Sequence, residues 1–448
     1  MKNLIYKKLF SFLFLLLIGI LVSKIAVSKA LNASENFRFS LNAVQSVYQN
    51  GVPHTDKMGR SLINFDAERS FFPICIYHAL TGEHHGRRYS LASLKNARFN
   101  CVHTWEGQKL DSIIEDLRTN DLQLIYHGTQ YFGPTDEELK KYANDPNILA
   151  WYLDEEPTGS YWGSNMNAKF AAFQKRMQEI KEVDQIHPVF ILDVAWITPP
   201  ATAWWIKWNT AGDVSSHDNY PLMLPETTSL SGPRGIPESV SLAVASNKEY
   251  KPVWFVPQAF ETPGRWYLPD AREERAMVYS AIVHGSTGII YFALDSWVTR
   301  NGSVIGIAPD TLIEYQGGGD SWLVASEELL NQSTNLWNEV VSLNDELQQL
   351  KPIILSPTSH QEYKVYIEGE GYSEDPIRSM LKEVDGQFTL ITVNLDKRPL
   401  RVKYQFPQNI IDIQTLFEKE RKVEEMRDKF WVDTYEEFGV HIYKFKLK

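Results

Sequence analysis

Apolar runs alternate with amphipathic segments along the chain between residues 71 and 350. The runs are rich in β-branched and aromatic residues, which is typical of buried strands. There are eight of them: FFPICIYH (71–78), FNCVHTW (99–105), LQLIYHG (122–128), ILAWYLD (148–154), HPVFILDVA (187–195), DVSSHDNYP (213–221), KPVWFVPQAF (251–260) and GIIYFALD (288–295). Strands that alternate with helices pair in parallel, so one parallel sheet is expected.

Helical periodicity fills most of the intervals between these runs. TDEE at 135–138 has the spacing of a capping box and marks a helix start. Further helices are predicted over 110–117, 167–183, 270–284 and 322–350, the last with a break near Ser333. Eight strands with crossovers predict an α/β fold, a closed (β/α)8 TIM barrel. A doubly wound sheet is the alternative, but it usually has a glycine-rich first turn, which this sequence lacks.

The pattern changes on both sides of the barrel, which we assign to residues 71–350. Residues 351–448 contain period-two runs separated by turns, which predicts a C-terminal antiparallel β-sandwich domain. Residues 31–70 are rich in turn signals and predict an N-terminal β-hairpin or cap.

Residues 1–30 have the features of a signal peptide. MKNLIYKK is basic, LFSFLFLLLIGILV (9–22) is apolar, and Ser28 and Ala30 supply small residues for cleavage after Ala30. The apolar run is short for a membrane span of about 20 residues, although an uncleaved anchor is the alternative. The protein is therefore expected to be secreted, periplasmic or in the cell envelope, with no stable membrane span after cleavage.

The net charge argues against one class of function, and the two cysteines raise the question of a disulfide. Lys and Arg total 45 against 56 for Asp and Glu, a net charge of −11 that argues against nucleic-acid binding. Cys75 and Cys101 lie in strand-like segments. A bridge between adjacent parallel strands has awkward geometry, so we expect two buried free thiols rather than a disulfide. The sequence does not indicate an oligomeric state.

The active site of a (β/α)8 barrel forms at the carboxyl ends of its strands. Here these ends carry carboxylates, amides and aromatic rings, the mixture that sugar chemistry needs. The residues are His78, Trp105, Glu106, His127, Tyr131, Asp154, Glu155, Glu156, Asp193, Trp196, His217, Asp218, Asn219, Tyr220, Gln258, Glu261, Asp295 and Trp297. Asp193 has a second interpretation, as a cap of the loop that follows its strand.

WYLDEEP (151–157) places three acids in succession at the end of the fourth strand. Mutual repulsion and burial would raise the pKa of at least one, as a general acid requires. The motif resembles the fourth strand of the glycoside hydrolase superfamily of (β/α)8 barrels, where a Glu before Pro is the acid/base in a clan-A-like pattern. FFPICIYH and DNYP (218–221) are also similar to that superfamily. The resemblance implies that Glu156 is the proton donor and that Glu155 takes the usual Asn or Asp place.

The seventh strand departs from that pattern. Retaining members carry a nucleophilic Glu at its end, but here Gln258 holds the place. Three alternatives for the second carboxylate stay open. Asp218 or Glu106 could be the base of an inverting enzyme. Glu261 could be the nucleophile. Asp154 and Glu156 could form a pair for substrate-assisted hydrolysis, with Tyr220 helping.

The predicted function is hydrolysis of O-glycosidic bonds in a poly- or oligosaccharide. The residues expected to position the sugar are His78, Trp105, His127, Tyr220, Gln258, Asp295 and Trp297. This carboxylate chemistry requires no metal or cofactor. A metal site of amidohydrolase type is not favoured either, since the first strand lacks the H-x-H of that class. Trp204, Trp205 and Trp208 form either a stacking platform for a glycan or a packed helix face. The alternative function is a catalytically inactive barrel that binds glycan or assists envelope or exopolysaccharide assembly.

Overall fold

The computed structural model describes most of the chain after residue 36. The described ranges are 37–79, 82–84, 87–104, 109–128, 133–160, 165–248, 250–299, 302–308, 312–313, 326–369 and 375–448. The predicted signal peptide, residues 1–30, lies outside these ranges. None of the helices within them is both long and apolar enough to cross a bilayer.

Eight parallel strands close into a barrel, which confirms the predicted fold class. In chain order they are Ile74–Ile76, Cys101–His103, Gln123–Tyr126, Ile148–Glu155, Val189–Val194, Val214–Asn219, Val253–Pro257 and Gly288–Tyr291. Each strand pairs with its neighbours in the sequence, and the eighth pairs with the first. Seven of them fall inside the predicted apolar runs, and the fourth, Ile148–Glu155, extends one residue beyond its run.

Helices cover the outside of the barrel. They are Leu91–Asn96, Leu110–Ser112 (a 3-10 turn), Ile114–Asn120, Asp136–Tyr142, Pro157–Ser160, Met166–Val183, Thr202–Asn209, Ile236–Ser246, Ala271–Val283 and Glu327–Ile354. The predicted capping box is present: the Thr135 hydroxyl accepts from the Glu138 backbone, and the Glu138 carboxylate accepts from the Thr135 backbone.

The predicted break in the last helix is wrong. Glu327–Ile354 is continuous through Ser333, whose side chain is buried. Leu336, Val340 and Leu343 extend one apolar stripe along this helix into the main core. Packing of such a stripe outweighs the low helix propensity of a single serine.

The C-terminal domain consists of two five-stranded sheets, which confirms the antiparallel β-sandwich. One contains Phe37–Phe39, Lys364–Glu368, Leu400–Gln405, Phe430–Tyr435 and Glu425–Arg427, in that order. The other contains Val44–Gln45, Ile377–Val384, Gln387–Asn394, Val440–Leu447 and Ile410–Thr415. Aromatic side chains around Trp431 fill the space between the sheets. Two of the strands that precede the barrel therefore complete the sandwich.

Among the described residues, three small sheets of short strands lie outside the barrel sheet. His54–Asp56, Ser61–Leu62 and Ser70–Phe71 form one small sheet before the first barrel strand. Ser296–Thr299, Gly302–Val304 and Leu312–Ile313 form another after the eighth, and Gly82–His84 pairs with Arg87–Tyr89.

The barrel interior is a packed core in its lower part. Side chains from alternate positions, among them Ile125, Phe190, Val214 and Trp254, fill it. The same alternation on the sixth strand turns Asp218 toward the interior at the carboxyl end. The barrel therefore supports a carboxylate on a rigid, apolar base.

The expectation of two free thiols is wrong, because Cys75 and Cys101 form a disulfide. The first and second strands are adjacent, and these two residues are direct partners in their register. Their Cα atoms lie 4.5 Å apart, inside the range that a disulfide spans. The sequence could not reveal that the two strands align at this residue pair.

Purified protein denatured without a reductant should therefore contain no reactive thiol, as measured by thiol titration. Replacing both cysteines by alanine should lower the free energy of unfolding by about 2–4 kcal/mol, since a cross-link is lost. Denaturation curves of the two proteins measure this difference. Two reactive thiols in the unreduced wild-type protein would contradict the disulfide.

Candidate active site

The fourth barrel strand is irregular where its acidic triplet begins. The pairing register with the fifth strand shifts between Tyr152 and Asp154, and the Asp154 carboxylate accepts from the Glu155 backbone N–H at 2.9 Å. Glu156 follows with a left-handed backbone, φ 45°, and its N–H donates to the Leu192 carbonyl at 2.8 Å. Strained backbone of this kind concentrates at functional sites.

Asp193 fixes the turn that follows Glu156. Its buried carboxylate accepts from the Thr158 backbone N–H at 3.0 Å and from the Thr158 hydroxyl at 2.6 Å. Burial raises the pKa of Asp193 and the Thr158 hydrogen bonds oppose that shift, while the charges of Glu156 and Asp154 add to it. Asp193 thus caps the short helix Pro157–Ser160 rather than facing the cavity, and it helps to hold the strained backbone of Glu156 in place.

The carboxyl groups of Glu156 and Asp218 lie within hydrogen-bonding reach of each other. Asp218 is buried, and neither of its oxygens accepts a well-aligned hydrogen bond from the described residues. Burial raises the pKa of Asp218, and the Glu156 charge raises it further. Burial also raises the pKa of Glu156, while the contact with Asp218 and the charge of Arg265 oppose that shift. Two adjacent, poorly solvated carboxyl groups do not both ionise, so the pair retains a proton.

Two tyrosines complete this acidic centre. The Tyr77 hydroxyl lies 3.4 Å from that of Tyr152, and both rings are buried. Burial raises the pKa of both phenols, and the charges of Glu155 and Glu156 act on both in the same direction. Sequence reasoning missed Tyr77, whose signal was its position beside His78 at the end of the first strand.

Three histidines lie at the carboxyl ends of the first three barrel strands, one on each strand end. His78 contacts Asp295 with 3.1 Å between Nδ1 and Oδ1. His127 stacks on Tyr152, and burial, aided by His78, lowers its pKa to about 4. His103 is buried between Tyr77 and His127, and neither ring nitrogen has a partner within the described ranges. Burial lowers its pKa too, so His103 is neutral at pH 7.

Aromatic rings that follow the sixth, seventh and eighth strands lie next to these histidines. Tyr220 stacks on Phe292 with ring centroids 5.8 Å apart, and the ring of Phe260 meets both edge-on. Trp297 contacts His78 and Phe292 edge-to-face. Tyr220 also lies beside Asp218, whose charge raises the pKa of the Tyr220 phenol after the larger effect of burial.

The polar side chains at the end of the seventh strand, Gln258 and Glu261, contact backbone groups of nearby loops. The Gln258 side chain is buried, accepts from the Leu222 N–H at 3.0 Å and donates to the Tyr267 carbonyl at 2.9 Å. It thereby ties two loops together. Glu261 is half-buried, which raises its pKa, and its carboxylate contacts the Leu268 backbone.

A cavity of about 960 Å³ opens beside the carboxyl pair. Glu156, Asp218 and Tyr220 lie on one side of it, together with Trp196. Sequence reasoning missed Trp266, Arg234 and Arg265, which also line it. These three belong to loops between strands and helices, whose course the periodicity of the chain does not reveal.

Some of the predicted site residues cannot be placed or do not belong to the site. Trp105, Glu106 and Tyr131 lie outside the described residues, so their predicted roles stay predictions. No group of three His, Cys, Asp or Glu side chains in the described ranges is arranged to hold a metal ion. Trp205 and Trp208 are buried, Trp205 against His217 and Trp208 against Phe170, so both serve helix packing.

The sequence matches no protein-family model and none of the curated proteins. A solved structure described as a glycoside hydrolase aligns with 90% of this chain and 99% of its own, at 15% identity and a TM-score of 0.51. An alpha-amylase from Geobacillus thermoleovorans complexed with acarbose aligns with 84% of this chain and 98% of its own, at 11% identity and a TM-score of 0.48. A family 30 xylanase from Clostridium acetobutylicum aligns with 90% of this chain and 98% of its own, at 8% identity and a TM-score of 0.43. The first match establishes a shared fold, in agreement with the resemblance stated from the sequence.

Replacing Asp218 by asparagine should stabilise the protein at pH 7 by about 1–2 kcal/mol. A buried acid with a raised folded-state pKa weakens the fold as pH rises above its unfolded pKa of about 3.9. The gain should therefore shrink toward pH 4. Denaturation curves at the two pH values measure it.

Asp184→Asn is the matched control with the opposite sign. Burial opposes ionisation of Asp184, but contacts with His187 and Trp151 outweigh it and lower the pKa. This change should destabilise the protein at pH 7, and its effect should shrink as pH falls. A loss of stability at pH 7 in Asp218→Asn as well would contradict the strained carboxyl pair.

Proposed function

We propose that this protein hydrolyses O-glycosidic bonds in a poly- or oligosaccharide, with Glu156 as the proton donor. The observation that carries the proposal is the contact between Glu156 and Asp218 at the barrel mouth. A proton that the pair retains above the ordinary carboxyl range is what a general acid needs in order to protonate a leaving oxygen.

Asp218 is the proposed second carboxylate. As the proton passes from Glu156 to the glycosidic oxygen, the bond to the anomeric carbon breaks and positive charge develops on the sugar. The negative charge of Asp218 stabilises that charge, and water then adds its hydroxyl to the carbon and returns a proton to the carboxyl pair. Contact between the two groups is closer than both the ~5–5.5 Å gap of a retaining pair and the ~6.5–9.5 Å gap of an inverting pair.

The rest of the mouth supports a sugar ligand. Tyr77, Tyr152 and His103 offer polar atoms set among aromatic rings, and His103 brings two buried nitrogens without a partner in the described ranges. Such groups hydrogen-bond sugar hydroxyls, while the faces of Tyr220 and Trp297 suit the apolar side of a pyranose ring.

A second candidate is a barrel that binds glycan without cleaving it. The feature that favours it is Gln258, which occupies the place of the usual seventh-strand nucleophile and is engaged with backbone groups. An activity measurement separates the two candidates.

We also propose that the protein acts outside the cytoplasm. The basic and apolar pattern of residues 1–30 supports export. The Cys75–Cys101 disulfide supports an oxidising compartment.

Glu156→Gln should lower kcat/KM on a cleavable glycan by about a thousandfold, because the amide cannot donate the catalytic proton. Release of reducing sugar from a glycan panel measures this. The basic limb of the pH–rate profile should report the titration of the Glu156–Asp218 pair and should disappear in the variant.

Glu182→Gln is the matched control, since Glu182 is exposed on the helix Met166–Val183 and should leave the rate unchanged. Full activity in Glu156→Gln would remove Glu156 as proton donor. Binding without hydrolysis by the wild-type protein, across the panel, would favour the glycan-binding barrel.

A further inference from the structure

Two arginines that project into the active-site cavity have no carboxylate partner in the described part of the chain. They are Arg234 and Arg265, both exposed and both lining the cavity beside Asp218. Several other arginines pair with acids, as Arg60 does with Asp56 and Arg421 with Asp433. In a protein of net charge −11, two unpaired guanidinium groups on one cavity call for a ligand.

Hydrogen bonds to the sixth strand set the positions of both arginine loops. The Asn219 side chain donates to the Arg234 carbonyl at 3.0 Å. The indole N–H of Trp266 donates to the Tyr220 carbonyl at 3.2 Å. The two anchoring residues directly follow Asp218, so both loops are fixed next to the carboxyl pair.

Arg265 is further ordered by its neighbour. Its guanidinium lies over the Trp266 ring, 3.6 Å from the centroid. Stacking of this kind holds the planar donor fork while leaving its edge open to a carboxylate. Arg265 lines the same cavity as the proposed proton donor Glu156. Burial raises the pKa of Glu156, and the contact with Asp218 and the charge of Arg265 oppose that shift.

The other acid on the cavity wall does not compete for these arginines. Glu226 is held by an ion pair with Lys397. A carboxylate on the ligand is therefore free to take both guanidinium groups, in hydrogen bonds that are stronger than neutral ones.

We propose that the cavity binds a glycan that carries uronic acid, with the sugar carboxylate held by Arg265 and Arg234 beside the Glu156–Asp218 pair. This inference rests on the proposed glycosidase function for its catalytic setting, but binding itself does not require cleavage. Long-range attraction does not supply the selectivity, because the protein as a whole is acidic. It comes from these two short-range contacts.

Binding is best measured by titration calorimetry on the Glu156→Gln protein, which should not consume the ligand. The probes are oligogalacturonate and oligomannuronate, the same oligosaccharides after reduction of their carboxyl groups, and sulfated carrageenan oligosaccharides. At least one uronate should bind about tenfold more tightly than its reduced form, the value of one charge-assisted hydrogen bond. Adding Arg265→Gln or Arg234→Gln should remove most of that preference.

Arg69→Gln is the matched control. Arg69 is also exposed, has no carboxylate partner in the described ranges and lines a separate cleft with Phe71 and Phe72. Its loss should leave the preference intact. Equal binding of uronate and reduced probes, no binding of either uronate, an unchanged preference in both cavity variants, or tighter binding of sulfated probes would overturn the inference.

The two proposals fail in different ways. Uronate binding that depends on Arg265, without hydrolysis by the wild-type protein, would retain the arginine site and reject the glycosidase. Hydrolysis of neutral glycans, with no preference for uronate, would do the reverse.

Discussion

The contact between two buried carboxyl groups is the constraint on which this site depends. Glu156 comes from the end of the fourth barrel strand and Asp218 from the sixth, and apolar side chains below them exclude water. An ionised pair in this place would be costly, so a proton stays on it. The burial that destabilises the ionised pair also raises the pKa of its members above the ordinary carboxyl range, so the site gives up stability for an acid that keeps its proton.

The neighbouring structure serves to keep that contact in place. Glu156 adopts a left-handed backbone, φ 45°, that a free chain would leave. The bond from its N–H to Leu192 and the two bonds from Thr158 to Asp193 hold it. On the other side, loops anchored on Asn219 and Tyr220 bring arginines and tryptophans to the same cavity. Rigid strand ends and tethered loops together form the candidate site.

Much of the fold could be predicted from the sequence, because strand and helix periods are properties of local residue order. All eight barrel strands, the capping box at Thr135 and the sandwich follow from it. Register does not, which is why the Cys75–Cys101 bridge was missed. The strand-end rule found Glu156 and Asp218 but could not tell that Gln258 turns toward backbone groups. Arg265 lies on a loop, where no periodic signal predicts its contacts.

Carbon-13 NMR of labelled Asp and Glu carboxyl groups, followed through a pH titration, tests the shared proton most directly. The account predicts that Glu156 and Asp218 titrate in two linked steps, one displaced above the ordinary carboxyl range. In Asp218→Asn the two steps should become one. Independent titration of both groups near pH 4, as in unfolded peptides, would contradict it.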